Sequence, residues 1–181
     1  MTGRQVFESS RLLFMTTTDP QPAVERGNHP GVERVNAILE SAGLPGRVKI
    51  LPEAAPTAQA AADQIGCPVG AIANSLIFTT GDGAPLLVMT SGAHRVDTAA
   101  LGERLGTRIG RAKADFVRLH TSQSIGGVSP VGHPQPQRTI IDVDLAAYDE
   151  IWAAGGIPHA VFPLTYADLV SLTHGEELPV A

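Results

Sequence analysis

The sequence predicts a single domain of mixed α and β structure, and three observations carry that prediction. The chain has 181 residues, within the ~100 to 200 usual for one domain. It is 43% hydrophobic and 17% charged, enough apolar material for a core, and no apolar run approaches the ~18 residues of a membrane span. Nineteen Gly and fourteen Pro punctuate it more often than a helical bundle tolerates, so many turns join short elements. These observations exclude two independent domains, a membrane-spanning chain and a wholly disordered one.

Residues 1–28, with Thr16 to Thr18, Pro20 and Pro22 and no sustained period, read as a poorly ordered N-terminal extension in which Met15 is an alternative start. The domain then occupies 29–181. Pro30 stands at a first helical turn, Val32, Val35, Leu39 and Ala42 recur at helical spacing, and Gly43 falls where a helix would end. Val48–Leu51 reads as a short strand, and Ala58–Ile65 as an alanine-rich helix capped by Thr57 and stopped by Gly66 and Pro68. Ser75–Thr80 and Leu86–Thr90 are β-prone runs joined through Gly81-Asp82-Gly83-Ala84, an antiparallel hairpin. A helix is expected over Asp97–Leu105, a strand over Thr107–Ile109 and a helix over Lys113–His120. Ser122–Pro136, rich in Gly and Pro, is a long loop, and long loops in compact domains tend to be functional. Strands at Thr139–Val143, Trp152–Ala154 and Ala160–Leu164 and a helix at Tyr166–Leu172, capped by Thr165, complete the chain.

Charge and motifs narrow the function. A formal net charge of −5 is wrong for a protein that coats DNA or RNA nonspecifically, though not for a pocket that reads one nucleotide end. The single cysteine, Cys67, excludes an internal disulfide and favours the cytoplasm, and the N-terminus carries no secretory signal. No phosphate-binding glycine loop is present. The six histidines never fall at the i, i+4 spacing of a helical metal site, so no metal is expected. Arg104, Arg108, Arg111, Lys113 and Arg118 crowd one stretch. They could meet phosphates, but Arg111, Asp115 and Arg118 have the spacing of an exposed ion-pair ladder.

Three segments read together resemble the YbaK/EbsC family of aminoacyl-tRNA deacylases, relatives of the editing domain of bacterial prolyl-tRNA synthetases. They are Thr57-Ala58-Gln59-Ala60-Ala61-Ala62, Ile72-Ala73-Asn74-Ser75-Leu76-Ile77-Phe78 and Gly126-Gly127-Val128-Ser129-Pro130-Val131-Gly132-His133, with Arg138-Thr139-Ile140-Ile141-Asp142 beyond. The resemblance covers residues 30 to 175. It implies a compact α+β domain with a mixed, curved sheet flanked by helices. It also implies a pocket for the aminoacylated 3′ end of a tRNA, ester hydrolysis without metal or cofactor, and a possible synthetase partner.

Such a pocket must hold the ester carbonyl near water or the ribose hydroxyl, donate to the developing oxyanion and exclude wrong side chains by shape. Gly126 and Gly127, lacking Cβ atoms, can bring backbone N–H groups to a ligand, and with Asn74 they are the candidate catalytic residues. The resemblance implies a lysine at position 74. Asn74 can donate a hydrogen bond but brings no charge, so the alternative is a binding module that keeps the pocket without hydrolysis. Candidate substrate contacts are Ser75, Arg95, Ser129, Pro130, His133 and Asp142. Arg95 offers a substitute charge or a turn contact with Asp97, Pro130 stiffens the loop, and His133 is a proton donor or acceptor or simply solvated. Asp142 either orients a ligand amine or caps the following turn. Ala153-Ala154 would make one wall apolar, and Trp152 is core or a base-stacking surface.

Overall fold

The structure, a computed structural model, describes residues 26–44 and 48–181. The extension expected over residues 1–28, with Met15, lies outside the described residues except for its last three; of these, Arg26 donates to the Pro52 carbonyl at 3.1 Å.

Helix α1 (Pro30–Ser41) starts where the His29 ring accepts the Gly31 N–H, and it buries Val32, Val35 and Leu39. After β1 (Lys49–Ile50), α2 (Ala58–Ile65) takes its N-cap from the Thr57 hydroxyl, an interaction worth about 1 kcal/mol. The hairpin β2 (Ile72–Thr80) and β3 (Pro85–Ser91) leads to α3 (Thr98–Leu105), capped by Asp97. Next come β4 (Ile109–Arg111), α4 (Ala114–Thr121), the long loop, β5 (Arg138–Asp142), β6 (Ile151–Ala154) and β7 (Ala160–Leu164). A Thr165–Asp168 capping box opens α5 (Tyr166–Thr173), and β8 (Glu176–Leu178) follows.

One mixed sheet runs β1-β7-β6-β2-β3-β5-β8, with β4 added beside β2. The β2–β6, β3–β5 and β5–β8 pairs are parallel and the rest antiparallel. Side chains alternate between its faces. One face carries Ala73, Leu87, Met89, Ile141, Ala153 and Phe162 and packs on α1 and α5. The other carries Ile72, Trp152 and Val161 under α2, and Phe78, Leu86, Val88 and Ile140 under α3. Between those two apolar clusters the second face turns polar. Asn74 pairs with Thr90 across the hairpin, and the Thr90 hydroxyl donates to Asp142 at 3.3 Å.

The edge of β2 away from β3 is shared: β6 pairs with Ile72 and Ala73, β4 with Phe78 to Thr80. Among the described residues no strand pairs with Asn74 to Ile77 on that edge, so the sheet opens at Asn74. This is why β2 begins at Ile72, three residues before the expected Ser75: its first rungs are made to a strand nearly eighty residues later. Strand β4 sits at 109–111, not 107–109, because Gly106 turns the chain and Thr107 is spent accepting the Gly81 N–H. Strand β8 is an addition the sequence reading missed, an edge strand with two exposed glutamates.

Candidate active site

A small cavity of about 60 Å³ lies where the sheet opens. Asn74 and Gly126 line it together with Trp152, Ala153 and Ala154, while Thr57, Ala58 and Ala61 bring the first turns of α2 to its side. Two separate sequence segments, β2 and the glycine loop, therefore meet at one place. Asn74 is half-buried, and among the described residues nothing hydrogen-bonds to its carboxamide. The Gly126 N–H is likewise unpaired among the described residues. Two residues with unused donors thus line one pocket, and the positive end of the α2 dipole adds to the preference for negative charge there.

Gly127 does something different. Its N–H donates to the Ser124 carbonyl at 3.0 Å, so that donor is already used. A Cβ at Gly127 would stand 2.5 Å from the Ile157 carbonyl carbon and 2.7 Å from Pro158 N. The absence of a side chain lets the loop lie directly on the 157–158 backbone, and Gly126, at φ +91, then swings past the Pro158 ring. Gly126 and Pro158 together form a rim.

Across that rim lies a second cavity of about 800 Å³, with Arg26, Arg34 and Arg118, His29 and His159 in its walls and, among the described residues, no Asp or Glu. Three chain segments cross from one cavity to the other: Ala54 to Ala55, Ser124 to Gly126, and Ile157 to Pro158, the last residue touching both.

The other expected contacts lie further in or further out. Ser75 is on the opposite face from Asn74, its hydroxyl 3.3 Å from the Met89 sulfur. Ser129 is fully buried: its N–H donates to Gln123, its hydroxyl accepts the Val131 N–H, and its carbonyl takes the His133 Nε2 at 2.8 Å. Pro130 is buried beside it. These residues shape the loop from within. Burial pushes the His133 ring below its ordinary pKa, partly offset by the bond to Ser129. Arg95 is exposed and among the described residues has no partner, including Asp97.

Asp142 ends β5 at 1% exposure and caps the turn that follows. It accepts from Thr90, the Ser91 N–H, the Asp144 N–H and the His94 Nδ1, the last at 2.8 Å. His94 is the residue the sequence reading left unassigned. No local signal marks it, since its partner is 48 positions away. His94, Asp142 and Asp144 hold ligand atoms within 4.8 Å of one another, the group among the described residues that could offer a cation three ligands. The short Nδ1 contact makes it a hydrogen-bonded His–Asp pair. Trp152 is 6% exposed, packs with α2 and also walls the small cavity, with Lys49 Nζ 4.6 Å over its ring. The expected Arg111–Asp115–Arg118 ladder does not form among the described residues: Arg111 ends β4 while Asp115 and Arg118 lie on α4, where Arg118 lines the large cavity. No helix among the described residues is long and apolar enough to cross a membrane.

Known proteins match this arrangement. The family model of the aminoacyl-tRNA editing domain matches residues 52–172. The chain is 26% identical over 113 residues to the uncharacterized protein YwhH of Bacillus subtilis (strain 168), covering 62% of this chain and 72% of that one. A solved structure described as a candidate trans-editing enzyme for prolyl tRNA synthetase superposes with a TM-score of 0.78 at 37% identity, covering 84% of this chain and 97% of the other. The hypothetical protein APE2540 superposes with a TM-score of 0.75 at 25% identity, over 81% and 98%. With Asn74, the glycine loop and Asp142 all inside the matched span, the chain belongs to the aminoacyl-tRNA editing domain family, of the YbaK type that its motifs resemble.

Proposed function

We propose that this protein hydrolyses, in trans, the ester that joins a small amino acid to the 3′ end of a mischarged tRNA. The observation that supports this best is the small cavity shared by Asn74 and Gly126. At about 60 Å³ it admits a side chain of a few heavy atoms, and its Ala153–Ala154 wall offers nothing polar for a serine-like or acidic side chain to bond.

Water adds to the ester carbonyl carbon, the Asn74 carboxamide and the Gly126 N–H donate to the oxygen as charge develops, and the bond to the ribose 3′ oxygen breaks. That oxygen leaves with a proton, giving a free amino acid and a free tRNA end. One well-placed oxyanion donor is worth about 10²- to 10³-fold in rate, so two neutral donors can do without the charge of a lysine at position 74. Ile125, 61% exposed and next to Gly126 in the chain, gives the terminal base an apolar surface. The setting is cytoplasmic, with a synthetase as the source of mischarged tRNA, and this reading uses no cofactor.

Purified protein is incubated with tRNAs charged with glycine, alanine, serine, valine or leucine, beside an Asn74→Lys variant. Release of alanine ahead of valine and leucine by the wild type supports the reading. Silence from the wild type with activity gained in Asn74→Lys would replace it with a binding module that kept the pocket without the chemistry.

A further inference from the structure

We propose that the large cavity beyond the Gly126–Pro158 rim is a subsite for the phosphodiester backbone of a single RNA strand, the strand whose 3′ tip enters the small pocket. The inference rests on the editing reading, and it assigns a place to the part of the substrate that the small pocket is too small to hold.

Charge is the first support. A chain of net charge −5 gathers three arginines and two histidines around about 800 Å³, with no carboxylate in the wall among the described residues. Such a segregation produces a local positive field inside a cleft, where low-dielectric walls focus it. Burial, and after it the neighbouring Arg26, hold the His159 ring below its ordinary pKa. Arg118 is exposed and has no partner among the described residues. Arg34 makes only a 3.4 Å contact with the Gly132 carbonyl, its stem lying along the loop.

Placement is the second support. The cations come from three separate elements, Arg26 before α1, Arg34 on α1 and Arg118 on α4. Three cations on separate elements suit successive phosphates better than one small anion. The cleft also leads somewhere, since Pro158 walls both cavities and the segments 54–55, 124–126 and 157–158 pass from one to the other. Arg26 and Arg34 precede residue 52, where the family model's match begins, and Arg118 lies inside it.

The test measures anisotropy of a labelled, unacylated RNA hairpin with a single-stranded 3′ CCA end across a salt series. It compares the wild type, an Arg34→Ala/Arg118→Ala double variant and an Arg108→Ala/Arg111→Ala control whose exposed arginines lie elsewhere. Each phosphate contact contributes about 0.7 to the slope of log affinity against log salt for a single strand. The double variant is expected to bind at least tenfold more weakly at low salt, with a slope shallower by about 1.4, while the control matches the wild type. An unchanged slope in the double variant overturns the proposal. So does displacement of the RNA by equimolar inorganic phosphate at constant ionic strength, which would mark a site for one anion. Hydrolysis of 3′-O-alanyl adenosine, which has no phosphate, separates this from the editing reading. If the wild type and the double variant cleave it equally while their RNA slopes also agree, editing stands and the subsite falls. If neither cleaves it but the slopes differ as expected, the subsite stands and the hydrolytic reading falls.

Discussion

On one side of the Gly126–Pro158 rim, Trp152, Ala153 and Ala154 surround a single carboxamide in about 60 Å³; on the other, three arginines and two histidines surround about 800 Å³. The same backbone segments wall both. On the proposed reading, the difference separates two tasks that an enzyme acting on the end of a large substrate must combine. Shape and a pair of neutral donors select and polarise the reacting group, where a misplaced charge would be costly. Long-range attraction holds the remote, unreactive part, where charge without fine geometry is sufficient.

Substitutions confined to one cavity should affect one task. The largest effect is expected at Asn74. Asn74→Ala removes a donor that has no structural partner, so single-turnover ester hydrolysis should fall about 10²- to 10³-fold with no change in melting temperature or in RNA affinity. A loss of RNA affinity equal to the loss in rate would mean the two cavities do not divide the work. Gly127→Ala strikes the rim itself. Its Cβ would meet backbone atoms of Ile157 and Pro158 at 2.5 to 2.7 Å, which cannot turn aside as a side chain can. Destabilisation of about 1 to 3 kcal/mol is expected in urea melts, together with weaker hydrolysis and weaker RNA binding. An effect on only one of those activities would show the rim is not shared.

Ala154→Val fills part of the small cavity. It should favour glycyl over alanyl esters by about tenfold or somewhat more, the usual scale for one or two methyl groups in a pocket, and leave the salt slope of RNA binding as it was. The smallest effect is expected at His133, which touches neither cavity and supports the loop from behind. Its ring titrates below the ordinary value of 6.5 because it is buried. The unfolded chain therefore binds the proton more readily, and His133 contributes a stability that is complete above about pH 6.5 and declines as pH falls through that value towards the lowered one. The urea midpoint of the wild type should drop more between pH 7.5 and 5.5 than that of His133→Asn. Equal drops would remove His133 from the account.

How much of this was legible beforehand depends on where the partners lie in the chain. Helix α2 is found at Ala58–Ile65 as expected because its cap, its run of alanines and its Gly66 stop are all local. That Asn74, Gly126 and Ala153–Ala154 line one cavity was legible for a related reason: each sits in a contiguous motif, and the resemblance joins the motifs. The assignments that moved were made of contacts distant in sequence. His94 meets Asp142 from 48 positions away. The role of Gly127 depends on a close approach to Ile157, thirty residues on. The arginine crowd at 104–118 looked like one patch, yet a strand and a helix send its members apart, and only Arg118 joins Arg26 and Arg34 from the other end of the chain. Periodicity reports which face a residue takes; it does not report which distant segment meets it there.

The central claim is that an aminoacyl ester sits between Asn74 and Gly126. A titration of ¹⁵N-labelled protein with the non-hydrolysable 3′-amide analogue of alanyl adenosine tests it without requiring turnover. Shifts of the Asn74 side-chain amide and the Gly126 N–H, with the Gly127 N–H unmoved because Ser124 already holds it, are the predicted result. Saturable shifts that leave both Asn74 and Gly126 unchanged, or no binding at all, would contradict it.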